Sequence, residues 1–158
     1  MTLLVGVVDR TNLLGRRHTG ASRTNRLQLR GFEKGTNSME YEFTTGTPIT
    51  ESEALKQVAA MGYHGLAFDD SHDEDEILHW HEFAAVTWVI SGSGSVENQD
   101  GKVLDLGPGC RLQAPAGYLH RALAGTNTRL VIGTDLPAQK WTSPLNKEPA
   151  DRPAALSN

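Results

Sequence analysis

The sequence predicts an all-β protein, an antiparallel sandwich or barrel of short strands preceded by one short helix. Sixteen Gly and seven Pro residues in a chain of 158 residues indicate many turns. Segments with strand character follow one another at regular spacing, separated by Gly, Pro, Asn, Asp and Ser clusters, which is typical of a sandwich or barrel. A hydrophobic content of 38% is sufficient for a core, and the length suits one folded domain.

The composition excludes several classes of protein. No apolar run approaches the ~18 residues of a membrane span. Cys110 is the only cysteine, which excludes an intramolecular disulfide framework and the Cys-rich zinc folds. The net charge of −4 is a poor match to a nucleic-acid binder. We therefore expect a cytoplasmic protein whose partner is a small molecule, with no nucleic acid and no membrane.

Charge and proline content predict three regions. Residues 1–38 carry seven basic and two acidic side chains, which leaves a net charge of −9 for the rest of the chain. This basic region is predicted to be a disordered extension, or an upstream start with the working protein beginning at Met39. Its Arg, Ser and Thr content also fits a transit peptide or an arm that touches nucleic acid. Residues 39–140 are the predicted folded domain, and 141–158 a Pro-rich tail, on the domain or loose in solvent.

The elements can be placed in order along the chain. Residues 41–43 fit a short strand. Apolar residues at helical intervals predict a helix over 51–61, with a capping box of Thr50 and Glu53 at its start and Gly62 at its end. Strands are then predicted at 65–69, 77–83, 85–91, 94–97, 102–106, 110–114, 118–124 and 128–134.

Three histidines are candidates for a metal site. His79 and His81 form an H-x-H pair in a predicted strand, where alternate residues face the same side with Cα atoms ~6.6–7 Å apart. His120 follows Gly117 by three residues, and the turn there can direct its side chain back at the pair. Neutral imidazoles are common ligands of zinc, iron, copper and nickel, and three of them leave positions open for water or substrate.

At these residues the chain resembles the cupin family. The second cupin motif is G-x5-P-x-G-x2-H-x3-N. Gly109, Pro115, Gly117 and His120 match it without a gap, and Ala124 replaces its final Asn.

The first cupin motif, G-x5-H-x-H-x(3,4)-E-x6-G, is matched by His79, His81 and Gly92. Asp73 replaces its leading Gly. Ala85 stands where the motif has its Glu ligand, seven residues before the final Gly.

The resemblance covers about residues 65–135. It implies a double-stranded β-helix, a jelly-roll barrel with a metal inside its mouth that is held by His79, His81 and His120.

The missing carboxylate leaves two alternatives open. Strand parity places Ala85 on the face of the two histidines and Glu82 on the opposite face, although a bulge between 81 and 85 would bring Glu82 inward. The acidic run 73–76 could lend a carboxylate at the rim, or form a solvated loop.

A site of three neutral ligands leaves the full +2 charge on a divalent ion, so it favours an anionic substrate such as an enolate, carboxylate or thiolate. The three-His cupins that this chain resembles include cysteine- and diketone-type dioxygenases. That similarity favours iron(II) and a non-haem dioxygenase-like oxidoreductase acting on a small anionic metabolite. Zinc, manganese, nickel and copper stay open. The alternatives are a non-catalytic module that binds or senses a small ligand, and a jelly roll decayed to a structural role.

Other side chains receive plainer interpretations. Tyr118 adjoins the turn of the third histidine and either orients substrate or is an ordinary rim aromatic. Arg121 is expected to face away from the site, and Cys110 to be a buried structural thiol. His64 and His72 are expected at the surface.

The strand face opposite the ligands predicts self-association. It is apolar except for one glutamate, and its members are Trp80, Ala84, Val86, Trp88 and Ile90. The strip could be covered by residues 39–62 or the Pro-rich tail of the same chain, or by a second subunit. A helix of three turns, ~16 Å long, covers only part of it. We therefore predict a two-fold homodimer whose interface includes Val86 and Trp88.

Overall fold

The computed structural model describes residues 39–157, so the predictions for residues 1–38 lie outside the described range. One helix and seven strands follow one another there, and three short 3₁₀ helices come after them. In chain order these are β1 (Glu42–Thr45), α1 (Glu51–Ala60), β2 (His64–His72), β3 (Ala85–Asn98), β4 (Val103–Leu106), β5 (Cys110–Ala114), β6 (His120–Ala122), β7 (Thr126–Thr134) and the 3₁₀ helices Ala138–Lys140, Pro149–Asp151 and Ala154–Leu156. No helix of the described range is long and apolar enough to cross a membrane.

Strand β3 holds the two halves of the barrel together. Its first half pairs with β5 and β7, and its second half pairs with β4 and β6. The longest path of paired strands runs β1-β5-β3-β7-β2, and every pairing is antiparallel. A register shift between Val89 and Ser91 bends β3 between the two halves. The predicted all-β jelly-roll barrel with one N-terminal helix is confirmed.

Helix α1 begins and ends where its local signals predict. The Thr50 hydroxyl accepts from the Glu53 amide at 3.2 Å, and the Thr50 amide donates to the Glu53 carboxylate at 2.9 Å, so both halves of the capping box are present. The helix stops at Ala60, and Gly62 follows at φ 75°, a left-handed conformation that suits glycine.

The helix packs on the outer face of the sheet, against β2, β3 and β7. Two glycines that are partners across β2 and β7, Gly65 and Gly133, form a notch for Val58. A Cβ added at Gly133 would lie 2.6 Å from Val58 Cγ1, so this close approach requires glycine. The buried cluster between helix and sheet consists of Ala54, Val58, Val86, Trp88 and Val131.

The homodimer is predicted because an apolar strip needs a cover, and this packing supplies that cover from the same chain. Val86 and Trp88 are 0% and 5% exposed because α1 covers them. The Trp80 indole is 5% exposed, and its Nε1 donates to the Glu148 carbonyl at 2.9 Å. The premise that this face needs a second subunit is therefore wrong, since the same chain covers it. The homodimer itself stays a prediction.

Two strand predictions differ from the structure. Residues 77–83 form no continuous strand, because His79 and Trp80 each make one isolated bridge, to different partners. Residues 85–91 and 94–97 are parts of one strand, β3. Gly92, at φ 84°, passes so close to the β7 backbone that a Cβ would be 2.1 Å from a carbonyl oxygen. The Ser-Gly run of residues 91–94 therefore lies within the strand, where it allows β7 to approach closely, and does not form a turn.

Candidate metal centre

The three predicted histidines converge at the mouth of the barrel. His79 and His120 exchange two backbone hydrogen bonds of 3.0 Å each, so the two motif segments are paired at the ligands themselves. Their ring centroids are 4.7 Å apart, and the His81 ring is 5.0 Å from each. One ring nitrogen from each residue lies within 4.8 Å of the other two. This arrangement is a candidate site for a divalent metal ion.

Each imidazole is oriented by a backbone carbonyl at its Nδ1. A carbonyl oxygen only accepts hydrogen bonds, so each Nδ1 must carry the ring proton and each Nε2 keeps its lone pair for a metal. The three pairs are His79 with the Ile77 carbonyl at 2.8 Å, His81 with the Leu145 carbonyl at 3.1 Å, and His120 with the Tyr118 carbonyl at 3.1 Å.

The environment keeps the His81 and His120 rings neutral at neutral pH. Burial, followed by the neighbouring His120 and His79 rings, lowers the pKa of His81 to about 3. Burial, followed by the nearby His79, lowers the pKa of His120 to about 4. Neutral imidazole is the form that binds metal, so little proton displacement is needed at neutral pH.

The donor set fits a divalent transition metal. Metal–nitrogen bonds of ~2.0–2.1 Å require ligand nitrogens within about 4 Å of one another. The observed spacing of the three nitrogens, within 4.8 Å of one another, lies close to that range. His79, His81 and His120 would hold the ion, with no carboxylate among them.

Ala85 occupies the position expected to carry the carboxylate ligand. It lines the same cavity as the histidines, as strand parity predicts. Glu82 is turned outward, and its carboxylate accepts hydrogen bonds from the Thr142 amide and hydroxyl. The alternative in which a bulge brings Glu82 inward is therefore wrong.

The acidic run 73–76 reaches the cavity only through Glu76. This half-buried carboxylate accepts from the Ala122 amide at 3.0 Å and from the Asn146 side-chain amide at 3.1 Å. Both oxygens thus have partners in the chain, and the group is not among the clustered potential ligands of the described residues.

The site opens into a cavity of about 440 Å³ whose walls are mostly apolar. Phe83 and Leu112 line it, as predicted. Sequence reasoning missed a further contributor to the wall, residues 141–148, which we call the C-terminal segment. The principal wall residues are Phe68, Phe83, Val89, Leu106, Leu112, Leu130 and Ile132 from the barrel, and Trp141, Leu145 and Asn146 from the C-terminal segment.

An aromatic stack joins that segment to the metal centre. The Phe83 ring is parallel to the His81 ring at 5.0 Å, and the Trp141 indole stacks on Phe83 at 4.7 Å. In the sequence, residues 141–148 stand out only by Trp141 and the prolines, and neither predicts where the segment packs.

Tyr118 also lines the cavity and is 7% exposed. Its ring stacks on Tyr41 at 4.2 Å, and its hydroxyl has no hydrogen-bond partner among the residues described. Burial, with contributions from Tyr41 and Asp100, raises the pKa of Tyr118 to about 12, so the phenol is protonated at neutral pH. Its role in binding substrate stays a prediction.

The remaining candidates lie outside the site. Arg121 faces away and forms an ion pair with Glu97 at 2.6 Å. Cys110 is buried, as predicted. His64 is exposed, and His72 is half-buried and hydrogen-bonds at 2.8 Å to an aspartate two residues before it.

Neither a protein-family model nor a curated protein sequence matches this chain. Several solved structures do. A DUF861 family protein from Thermotoga maritima is 18% identical, with 60% of this chain and 99% of that chain covered and a TM-score of 0.43. An RmlC-like cupin from Desulfovibrio desulfuricans is 17% identical, with 75% and 99% covered and a TM-score of 0.39. The polyketide cyclase RemF from Streptomyces resistomycificus is 19% identical, with 71% and 78% covered and a TM-score of 0.40.

These similarities are low in identity and in superposition, so the chain's own features carry the assignment. The antiparallel barrel and the three converging imidazoles are those expected from the sequence. The resemblance to cupins is confirmed at the level of the fold.

Proposed function

We propose that this chain is a metal-dependent enzyme of the non-haem iron(II) dioxygenase type, acting on a small anionic metabolite. One observation carries the proposal: three imidazoles converge beside Ala85 at the mouth of a mostly apolar cavity. Iron(II) held by His79, His81 and His120 would supply a Lewis-acidic, redox-active centre for the oxidation of an anionic substrate by O₂.

The residues of this chain each contribute a distinct property. The carbonyls at the three Nδ1 atoms hold the rings in the tautomer that binds metal. The methyl group of Ala85 leaves room where a carboxylate would otherwise neutralise charge. The apolar wall excludes water and raises the strength of electrostatic attraction between a cation and an anionic substrate.

The cavity supports a substrate with two distinct ends. A volume of about 440 Å³ is within the ~300–1,000 Å³ range of small-molecule sites. An anionic chelating group would bind at the histidines, and an apolar body would contact walls that include Phe83 and Leu130. Small diketones, hydroxy acids and thiols with apolar substituents meet this description.

The test combines metal analysis with oxygen consumption. Protein purified without chelator or affinity tag should contain about one divalent ion per chain and consume O₂ with a member of that panel. His79→Ala should reduce the metal content by orders of magnitude. His64→Ala, which removes an exposed imidazole, is the matched control and should retain the metal. Full metal content in single alanine variants of all three site histidines would refute the proposed site.

A second candidate function, ligand binding or sensing without turnover, is favoured by one observation. The two carboxylates that line the cavity in the described range, Asp70 and Glu76, already accept hydrogen bonds from the chain. Neither is a free general base. Metal-dependent stabilisation of the protein by panel compounds, with no O₂ consumption, would support this function over the enzyme.

A further inference from the structure

The three ligand histidines are not oriented in the same way. The carbonyls that accept from His79 and His120 lie two residues before them in the chain. The carbonyl that accepts from His81 belongs to Leu145, 64 residues away, in the C-terminal segment (residues 141–148). Two imidazoles are therefore positioned locally, and the third depends on a distant part of the chain.

The C-terminal segment is fastened beside the site by polar contacts. The Glu82 carboxylate accepts from the Thr142 amide and hydroxyl. The Lys147 ammonium group donates to the Thr142 hydroxyl at 2.8 Å and the Pro144 carbonyl at 3.0 Å. The Lys147 backbone exchanges hydrogen bonds of 3.0 and 3.1 Å with Trp80, the residue between the two histidines of the pair.

Apolar contacts act in the same direction. Trp141 stacks on Phe83, which stacks on the His81 ring, so the ring is held at its face as well as at its Nδ1. Undocking the segment would remove the Leu145 carbonyl from His81 Nδ1 and the Trp141 indole from Phe83, so the His81 ring would keep only its stack on Phe83. The other two histidines would keep the carbonyls that orient them.

We propose that the C-terminal segment is a positioning element of the metal centre, with Glu82 controlling its docking and the Leu145 carbonyl fixing His81 for the metal. The proposal rests on the proposed metal site. It makes metal affinity and docking of the segment thermodynamically coupled. Loss of a residue that orients a metal ligand costs 10–100-fold in affinity, and coupling is reciprocal, so bound metal should stabilise the docked segment by the same factor.

The experiment uses Co²⁺ as the probe metal and the full chain. Glu82→Ala removes the acceptor for Thr142, and should weaken Co²⁺ binding about 10-fold or more. Glu82→Gln keeps a carbonyl acceptor but removes the charge, and should stay near the wild-type affinity. Glu51→Ala is the matched control, because it breaks a surface contact with Arg129 of 3.0 Å on the helix side of the barrel.

Hydrogen exchange supplies the readout that a purely structural role would not change. Co²⁺ should slow amide exchange of residues 141–148 in the wild-type chain, and Glu82→Ala should abolish that protection. The Co²⁺ absorption spectrum should also change in Glu82→Ala, because one ligand is no longer held in place.

The outcomes separate this inference from the proposed function. If His79→Ala binds Co²⁺ more weakly than the wild type while Glu82→Ala binds it equally well, the positioning role is overturned and the metal site stands. Equal weakening by Glu82→Gln and Glu82→Ala would assign the effect to charge, and would also overturn the inference. Unchanged affinity in His79→Ala refutes the proposed function instead.

Discussion

Acidification of the metal-free protein should weaken the fold through two buried imidazoles. In the folded chain the pKa values of His81 and His120 are lowered to about 3 and about 4, mainly by burial. In the unfolded chain both rings titrate near the ordinary value of ~6.5. The unfolded state therefore binds more protons at intermediate pH. The stabilisation is fully present above pH ~6.5 and is lost as the pH falls toward the folded-state values.

The magnitude follows from the distance between these values. Lowering the pH from 7.5 to 5 lowers the free energy of unfolding by about 2 kcal/mol for each histidine, since one pKa unit corresponds to ~1.36 kcal/mol. Together the two rings account for up to about 4 kcal/mol, a large part of the ~5–15 kcal/mol that stabilises an ordinary domain.

Urea unfolding at pH 7.5 and pH 5, with a metal chelator present, measures this loss. The double variant His81→Gln/His120→Gln should lose about 4 kcal/mol less than the wild type over the same interval. His64→Gln, at an exposed position, should behave like the wild type. Carboxylates elsewhere titrate equally in all three proteins, so they cancel. A double variant with the full wild-type pH dependence would refute the reasoning.

Three further predictions concern other parts of the chain. Ala85→Glu should add a fourth ligand, tighten metal binding in a titration and suppress any O₂ consumption; an unchanged affinity would contradict the open position. Thr50→Ala should lower the free energy of unfolding by about 1 kcal/mol in urea, because it removes the helix cap. Gly92→Ala should prevent soluble folding, since its Cβ would be 2.1 Å from the Asn127 carbonyl. Gly107→Ala, with open space around it, should fold normally.

The sequence predicted those features that depend on local pattern. The capping box and periodicity placed α1 within one residue, and the period-2 rule placed His79, His81 and Ala85 on one face although their segment is not a regular strand. The motif spacing selected His120 as the third member of the cluster.

Features set by distant contacts were not predictable. Whether Gly92 turns the chain or allows a neighbouring strand to approach depends on the position of β7. Helix α1 buries Trp88 because it packs close to the sheet, and this close packing depends on Gly65 and Gly133, which lie on other strands. Leu145 orients His81 through its backbone carbonyl, and a backbone atom leaves no trace in residue type.

The packing of α1 on the sheet also has a consequence for partly unfolded forms of the chain. A helix of 10 residues is marginal on its own, and here its docking buries Val86 and Trp88 on a sheet that the strand pairing holds together without it. Transient release of α1 would uncover a flat, apolar surface on an otherwise intact barrel. Such a species is prone to associate with its own kind, so mild heating or low urea should produce aggregates before the barrel unfolds.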